Sequence, residues 1–297
     1  MLRAAIDIGT HSVRLLVAEI TGGRVVPVLR RMEITRLGEG LDDALILAPQ
    51  AIGRTVRAVR EFFDQARAAG ARRVVVFGTS AVREARNRAT LERDLSPICL
   101  RVLTGTQEAD LAFRGVVAGL DGLPQPALVV DVGGGSTELV LGTREAVRSR
   151  VSLPLGAVRL TERFCRSDPV ADVEAEALCR TVSAALRPHR STFAGAAQAV
   201  GVGGTVTSLA AIDQGLDPYD PQRVHGYRIP ASRLASIARG LCAMPLALRR
   251  RLPGLQPQRA EVICAGALIV QTVLEEIGLP DIVASEADLL WGALLEL

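Results

Sequence analysis

The chain of 297 residues is 48% hydrophobic and 23% charged, long enough for two cores rather than one. Its formal net charge of +3 is too small to imply a nucleic-acid partner. All 35 basic residues are arginine, which excludes a Walker A loop and Schiff-base chemistry, since both need lysine. Any anion is therefore held by guanidinium forks and backbone N–H groups. No apolar run approaches the roughly 20 residues of a membrane span. The start MLRAAIDIGT lacks the pattern of a secretory leader, so a cytoplasmic protein with no membrane contact is expected. Five dispersed cysteines with no C-x-x-C pair argue against a disulfide framework or a zinc site, and read as small buried hydrophobes.

In chain order, residues 4–8, 13–20 and 25–29 read as strands of a meander, with Gly22-Gly23 as a hairpin turn. Residues 49–69 have helical apolar spacing. A buried strand over 74–77 ends at Gly78-Thr79-Ser80, followed by a helix over 82–95 and a strand over 100–103. Residues 107–119 form a helix with Thr104 or Thr106 as its cap. After the linker-like Gly122-Leu-Pro-Gln-Pro126 the pattern restarts, with a strand over 127–132, a polar turn and a strand over 138–141. Further helices are expected over 172–186, 231–242, 259–277 and 286–297, and a strand over 197–202 leads into Gly203-Gly204-Thr205. Both halves open with an apolar strand, an Asp, one apolar residue and a Gly-led turn, which suggests two related domains. The division expected is 1–121 and 122–297, with the last helix, about 286–297, packing back on the first domain.

Gly133, Gly134, Gly135, Ser136 and Thr137 read as a phosphate cradle: glycines permit positive φ and uncover N–H groups, and the two hydroxyls add donors. Gly9, Thr10, His11 and Ser12 offer the matching cradle in the first half. Gly203, Gly204 and Thr205 open a helix whose N-terminus favours an anion. A single such loop is also compatible with a plain hairpin. Asp7 and Asp131 precede the two cradles on apolar strands, and an acid beside phosphate needs a cation between them. Mg²⁺ suits that place, and Glu138, across the turn from Asp131, returns to the same site. Glu108 read from its position alone is one acid in the first turn of a helix. Arg249-Arg250-Arg251 reads as a solvated run, His189 and His225 as surface or structural residues, and Trp291 as packing or part of a dimer surface.

The ordered segments IDIGTHSVRLLVAE, GTSAVREARN, LTGTQEADLAFRGV, VVDVGGGSTELVLG, SLPLGAVRLTE, GVGGTVTSLAAI, RAEVICAGALIV and SEADLLWGALLEL resemble the motifs of the exopolyphosphatase / guanosine pentaphosphate phosphohydrolase (Ppx/GppA) family. The resemblance implies an α/β protein of two actin-like (ribonuclease H-like) domains, as in the sugar kinase/Hsp70/actin superfamily, with an interdomain cleft. It implies Glu108 as the general base for water and Arg83 as a catalytic phosphate-binding arginine. It implies Asp131 and Glu138 as metal-associated acids; Asp7, from its place before the first turn, is a further candidate, and Mg²⁺, or alternatively Mn²⁺, is the ion expected. Gly9–Ser12 and Gly133–Thr137 match the family's phosphate loops, while Gly203, Gly204 and Thr205 match the place where superfamily relatives bind a nucleoside. His11 stands where the family commonly has Asn, and Asp110 where it often has Arg. The chain ends without the helical extension of long members and resembles the short, two-domain form.

The function implied is an exopolyphosphatase that releases terminal orthophosphate from inorganic polyphosphate. The alternatives are a pppGpp 5′-phosphohydrolase giving ppGpp, and a regulator that binds guanosine tetra- or pentaphosphate with little turnover. A phosphotransferase is less favoured for want of an acceptor site. A homodimer is left open.

Overall fold

The structure is a computed structural model that describes residues 1–41 and 45–297. The N-terminal meander is β1 (Leu2–Ile8), β2 (Ser12–Thr21) and β3 (Arg24–Ile34). Gly22 and Gly23, at φ +57° and +78°, make the two-residue turn between β2 and β3, where two positive φ values match the twist of the paired strands. β2 and β3 slip register between Val17 and Ala18, opposite Leu29 and Pro27. That proline is tolerated because β3 is an edge strand. Helix α1 (Pro49–Ala68) buries its apolar stripe, including Ala51, Ile52, Val59 and Phe62, and leads to β4 (Arg73–Gly78). Next come α2 (Ser80–Glu84), α3 (Arg88–Leu95), β5 (Leu100–Val102) and α4 (Gly105–Gly119).

The second half repeats the order. Its meander is β6 (Ala127–Val132), β7 (Thr137–Gly142) and β8 (Val147–Leu153). Then follow α5 (Ala157–Phe164), α6 (Asp172–Leu186), β9 (Gln198–Val202), α7 (Gly203–Gln214), β10 (Arg228–Pro230), α8 (Ala231–Ala243), α9 (Ile263–Ile277), β11 (Asp281–Ala284) and α10 (Leu289–Glu296). The first sheet runs β3-β2-β1-β4-β5 and the second β10-β11-β9-β6-β7-β8. Aligned on β1 and β6, each has an antiparallel meander continued by parallel strands, and the second adds β10 antiparallel at its edge. This is the actin-like, ribonuclease H-like α/β order, twice. Each sheet has its own apolar core, one around Ile6, Val13, Val59 and Phe62, the other around Val130, Leu139, Leu209 and Ile269.

The chain divides into one compact unit of Met1–Gly119 with Asp288–Leu297 and another of Leu120–Ala287. Among the described residues no helix is long and apolar enough to cross a membrane.

Several expected elements differ. The helix expected over 82–95 is two helices, because Ala85 is extended and the Asn87 side chain leaves the helix to bond Leu47. Leu47 N–H donates to Asn87 Oδ1 at 2.9 Å, and Asn87 Nδ2 donates to Leu47 O at 3.0 Å. The terminal helix starts at Leu289 rather than 286, because Asp288 Oδ1 accepts the Leu290 N–H at 3.0 Å and caps it. Strands β8, β10 and β11 and helix α5 went unread. The arginine run is not solvated throughout: Arg249 is 4% exposed and donates to the carbonyls of Leu241, Met244 and Ala260. Cys242 and Cys264 are buried as expected, whereas Cys99 is exposed.

Within the first unit, α10 lies on α4 at a distance set by glycine. A Cβ at Gly115 would fall 1.9 Å from Asp288 O, and one at Gly292 would fall 1.9 Å from Leu111 O. Gly240, by contrast, lies in α8, where a Cβ would meet nothing within 4 Å, so only helix propensity acts there. In urea unfolding, Gly292→Ala should therefore lose roughly 1–3 kcal/mol by overpacking, while Gly240→Ala should gain about 0.5–1 kcal/mol. Equal midpoints for the two variants would contradict the glycine-set contact.

Candidate active site

The two expected cradles have the same geometry. Gly9 N–H donates to Ser12 O at 2.9 Å, and Gly133 N–H donates to Ser136 O at 3.0 Å. The reason for glycine differs from the one expected, since none of Gly9, Gly133, Gly134 and Gly135 takes a positive φ. Glycine is needed for close approach. A Cβ at Gly133 would lie 3.2 Å from Ser136 O, and one at Gly156, just before α5, would lie 2.1 Å from Gly134 O.

What makes the second turn a cradle is where its carbonyls go. Ala157 N–H donates to Gly133 O at 2.9 Å, Val158 and Arg159 N–H donate to Gly134 O at 2.9 and 3.2 Å, and Arg159 Nε donates to Gly135 O at 2.9 Å. A peptide N–H points opposite its C=O, so three tied carbonyls turn the N–H groups of Gly134, Gly135 and Ser136 the other way. Outward N–H groups in a turn of this kind suit an anion. The first turn is tied likewise: Gly38 N–H donates to Thr10 O at 2.9 Å, and the N–H groups of Thr35 and Arg36 donate to His11 O at 3.1 and 2.9 Å. Thr10, His11 and Ser12 are all buried. Thr137 has a different task from the donor expected, because its hydroxyl proton is committed to Leu155 O and braces the turn.

The strand acids sit at equivalent places. Asp7 faces Arg14 across β1 and β2, and Asp131 faces Glu138 across β6 and β7. Cross-strand partners project from the same face, so Asp131 and Glu138 are neighbours on one side of their sheet. Both are buried, at 8% and 1% exposure, and Glu138 Oε1 accepts the Ser152 hydroxyl from β8 at 2.6 Å. Gly203, at φ +76°, gives Asp131 its room: a Cβ there would fall 2.7 Å from Asp131 Oδ1. Asp7 is held differently, its Oδ2 accepting Arg14 Nε at 3.0 Å and Nη2 at 2.7 Å. Burial raises the Asp7 carboxyl above the ordinary value of 3.8 against the opposing pull of Arg14.

Glu108 and Arg83, 25 residues apart, form one pair. Arg83 Nη1 donates to Glu108 Oε2 at 2.9 Å and to Leu103 O at 3.0 Å. A capping box fixes the first turn of α4: Gln107 N–H donates to Thr104 Oγ1 at 3.2 Å and Thr104 N–H to Gln107 Oε1 at 3.0 Å. Glu108 is 8% exposed, and Arg83 holds one of its carboxylate oxygens. The Gly9 turn, Arg83 and Glu108 all follow the C-terminal ends of the adjacent parallel strands β1, β4 and β5, where open α/β sheets bind ligands.

The third turn, Gly203-Gly204-Thr205, opens α7. Thr205 Oγ1 donates to Val132 O at 3.0 Å, so its hydroxyl is structural. The Arg259 guanidinium lies against Gly204, where a Cβ would fall 2.1 Å from Nη1. Sequence reasoning missed Arg14, Ser152, Arg159, Arg259 and Asp288. Only Arg14 had a usable signal, since it follows Asp7 by the seven residues that separate Glu138 from Asp131.

Known proteins resemble this chain along nearly its whole length. The model of the Ppx/GppA phosphatase family matches residues 16–297. Exopolyphosphatase 2 of Mycobacterium tuberculosis is 38% identical over 312 residues, spanning 99% of this chain and 98% of that protein. The crystal structure of the Aquifex aeolicus Ppx/GppA family member is 32% identical with a TM-score of 0.83, covering 100% of this chain and 97% of that one. An exopolyphosphatase-like protein of solved structure is 33% identical with a TM-score of 0.91, covering 100% of this chain and 98% of that one. The family model and the near full-length relatives agree, and the chain belongs to the Ppx/GppA phosphatase family.

Proposed function

We propose that the chain is an exopolyphosphatase, a phosphoanhydride hydrolase that removes terminal orthophosphate from inorganic polyphosphate. The observation that carries the reaction class is the buried Glu108 carboxylate, oriented by Arg83, following the same strand ends as a phosphate turn. The substrate class is supported by the name of the Mycobacterium tuberculosis relative.

In this reading the Gly9, Thr10, His11 and Ser12 turn holds oxygens of the terminal phosphate through the N–H groups that its tied carbonyls turn outward, and Gly134, Gly135 and Ser136 form the second unit's own anion cradle. Glu108 accepts a proton from water as the water oxygen bonds to the terminal phosphorus. The bridging P–O bond breaks, and its electron pair leaves on the shortened chain. Arg83 orients Glu108 and balances the charge that spreads over the phosphoryl oxygens in a loose transition state.

A divalent ion fits the second unit. Among the described residues no group of three or more His, Cys, Asp or Glu could hold a metal. Mg²⁺ and Mn²⁺ do not require one, since Mg²⁺ is commonly held by one or two carboxylates with substrate phosphates and water. Asp131 and Glu138, adjacent and buried on one sheet face, are that donor set. When bound there the ion supplies charge neutralisation between these acids and the phosphate.

The pppGpp reading has one observation to meet. Arg259 already covers Gly204, at the turn expected to meet a nucleoside. A guanidinium there can meet a nucleotide's phosphates as well as exclude its base, so the preference for polyphosphate rests on the name of the Mycobacterium tuberculosis relative.

Phosphate release from polyphosphate of defined length tests the roles. Glu108→Gln should lower kcat by about 10²–10⁴-fold with a smaller change in KM, and an unchanged kcat would remove Glu108 from the base role. Gly156→Ala, whose Cβ would displace the Gly134 carbonyl, should act mainly on KM, because it moves the cradle and not the base. A panel of short polyphosphate, long polyphosphate and pppGpp, with and without chelator, should show release from polyphosphate that the chelator abolishes. Turnover confined to pppGpp would reverse the substrate choice.

A further inference from the structure

The two halves carry opposite charges at one repeated position. Glu138 is the cross-strand partner of Asp131, and Arg14 is the cross-strand partner of Asp7. Each partner follows its aspartate across a turn closed by the same glycine-to-serine hydrogen bond. The second half thus pairs two acids, and the first pairs an acid with a guanidinium.

Three of the five Arg14 N–H donors go to fixed carboxylates. Nε and Nη2 donate to Asp7 Oδ2 at 3.0 and 2.7 Å, and Nη1 donates to Asp288 Oδ2. Asp288 is engaged at its other oxygen as well, since its Oδ1 accepts the Leu290 N–H at 3.0 Å and caps α10. Asp7 keeps one buried oxygen, Oδ1, with no hydrogen-bond partner among the described residues. A single buried oxygen beside a fixed guanidinium does not make a divalent-cation site, because Mg²⁺ and Mn²⁺ need six oxygen ligands and room for their waters. The residues around Asp7 therefore do not fit the metal that Asp131 and Glu138 fit.

We propose that Arg14 is the built-in counter-ion of the first phosphate turn, doing for Asp7 what a divalent ion does for Asp131 and Glu138, so that the chain holds one divalent ion rather than two. Arg14 is then a positioning residue. It keeps an acid tolerable behind a phosphate turn and ties that strand to the cap of α10, the helix seated on α4, which carries Glu108. The proposal rests on the reading that Asp131 and Glu138 hold the ion.

Mn²⁺ binding to the full chain, followed by loss of the free-ion electron paramagnetic resonance signal, tests this without reference to turnover. Wild type should bind one ion. Asp7→Asn should keep that affinity within about twofold, as for independent sites, while Glu138→Gln should weaken it by at least about tenfold. Arg14→Gln leaves Asp7 and Asp288 without their fixed cation and should take up a second ion, with circular dichroism reporting whether it is folded. If Arg14→Gln does not fold, Asp7→Asn against Glu138→Gln decides alone. The proposal is overturned by two ions in wild type, by Asp7→Asn weakening binding as much as Glu138→Gln, or by a folded Arg14→Gln that still binds one ion. Wild type that binds no Mn²⁺ defeats the metal reading of the second unit and this proposal with it, a result distinct from a single ion lost through Asp7.

Discussion

A backbone N–H can face a ligand only if the carbonyl on the other side of its peptide has a partner elsewhere. The site depends on that constraint. In the second unit the N-terminus of α5 and the Arg159 side chain supply the partners for Gly133, Gly134 and Gly135. The first N–H groups of a helix lack intrahelical acceptors, so this use costs α5 nothing. A helix N-terminus usually binds an anion directly. Here it acts from behind, holding a loop whose own N–H groups are turned the other way. Glycine is required at Gly156 because helix and loop touch backbone to backbone.

The same constraint explains how a repeat can diverge without losing its purpose. The first unit ties its turn with N–H groups from the segment after β3, not from a helix. It also replaces the second acid with Arg14, which is bound to Asp7 and Asp288. What is preserved is the turn, closed in both halves by one hydrogen bond of nearly equal length. What changes is the residue across from the aspartate, an acid in one half and a guanidinium in the other. A chain with no lysine makes that change with a guanidinium, whose three donor nitrogens can hold two carboxylates in one plane.

Much of this was legible in the sequence, for stated reasons. The strand–Asp–Gly-turn repeat encodes local backbone geometry, so the first meander, the β6–β7 pair and both Gly-led turns could be read from it, while the actin-like order came from the resemblance. Glu108 and Arg83 were assigned by resemblance. Their direct pairing was not readable, because it joins residues from two separate strand–helix connections. Strands β8, β10 and β11 escaped because Val147–Leu153 carries alternating polar residues, and the other two are only 3 and 4 residues long. The reason for the glycines was misread: a run of three suggests positive φ, yet none of the three takes one, and Gly9, Gly133 and Gly156 answer to close contacts, which depend on what packs around them. Arg249 was misread for a similar reason, since its burial depends on carbonyls from α8 and the turn before α9.

The central claim is that water, activated by Glu108, attacks the terminal phosphorus of polyphosphate. A single turnover in H₂¹⁸O, with enzyme in excess over polyphosphate of defined length, tests it most directly. The account predicts one ¹⁸O in each released orthophosphate and none in the shortened chain. Label at the new chain end, or products no richer in orthophosphate than the starting polymer, would contradict it.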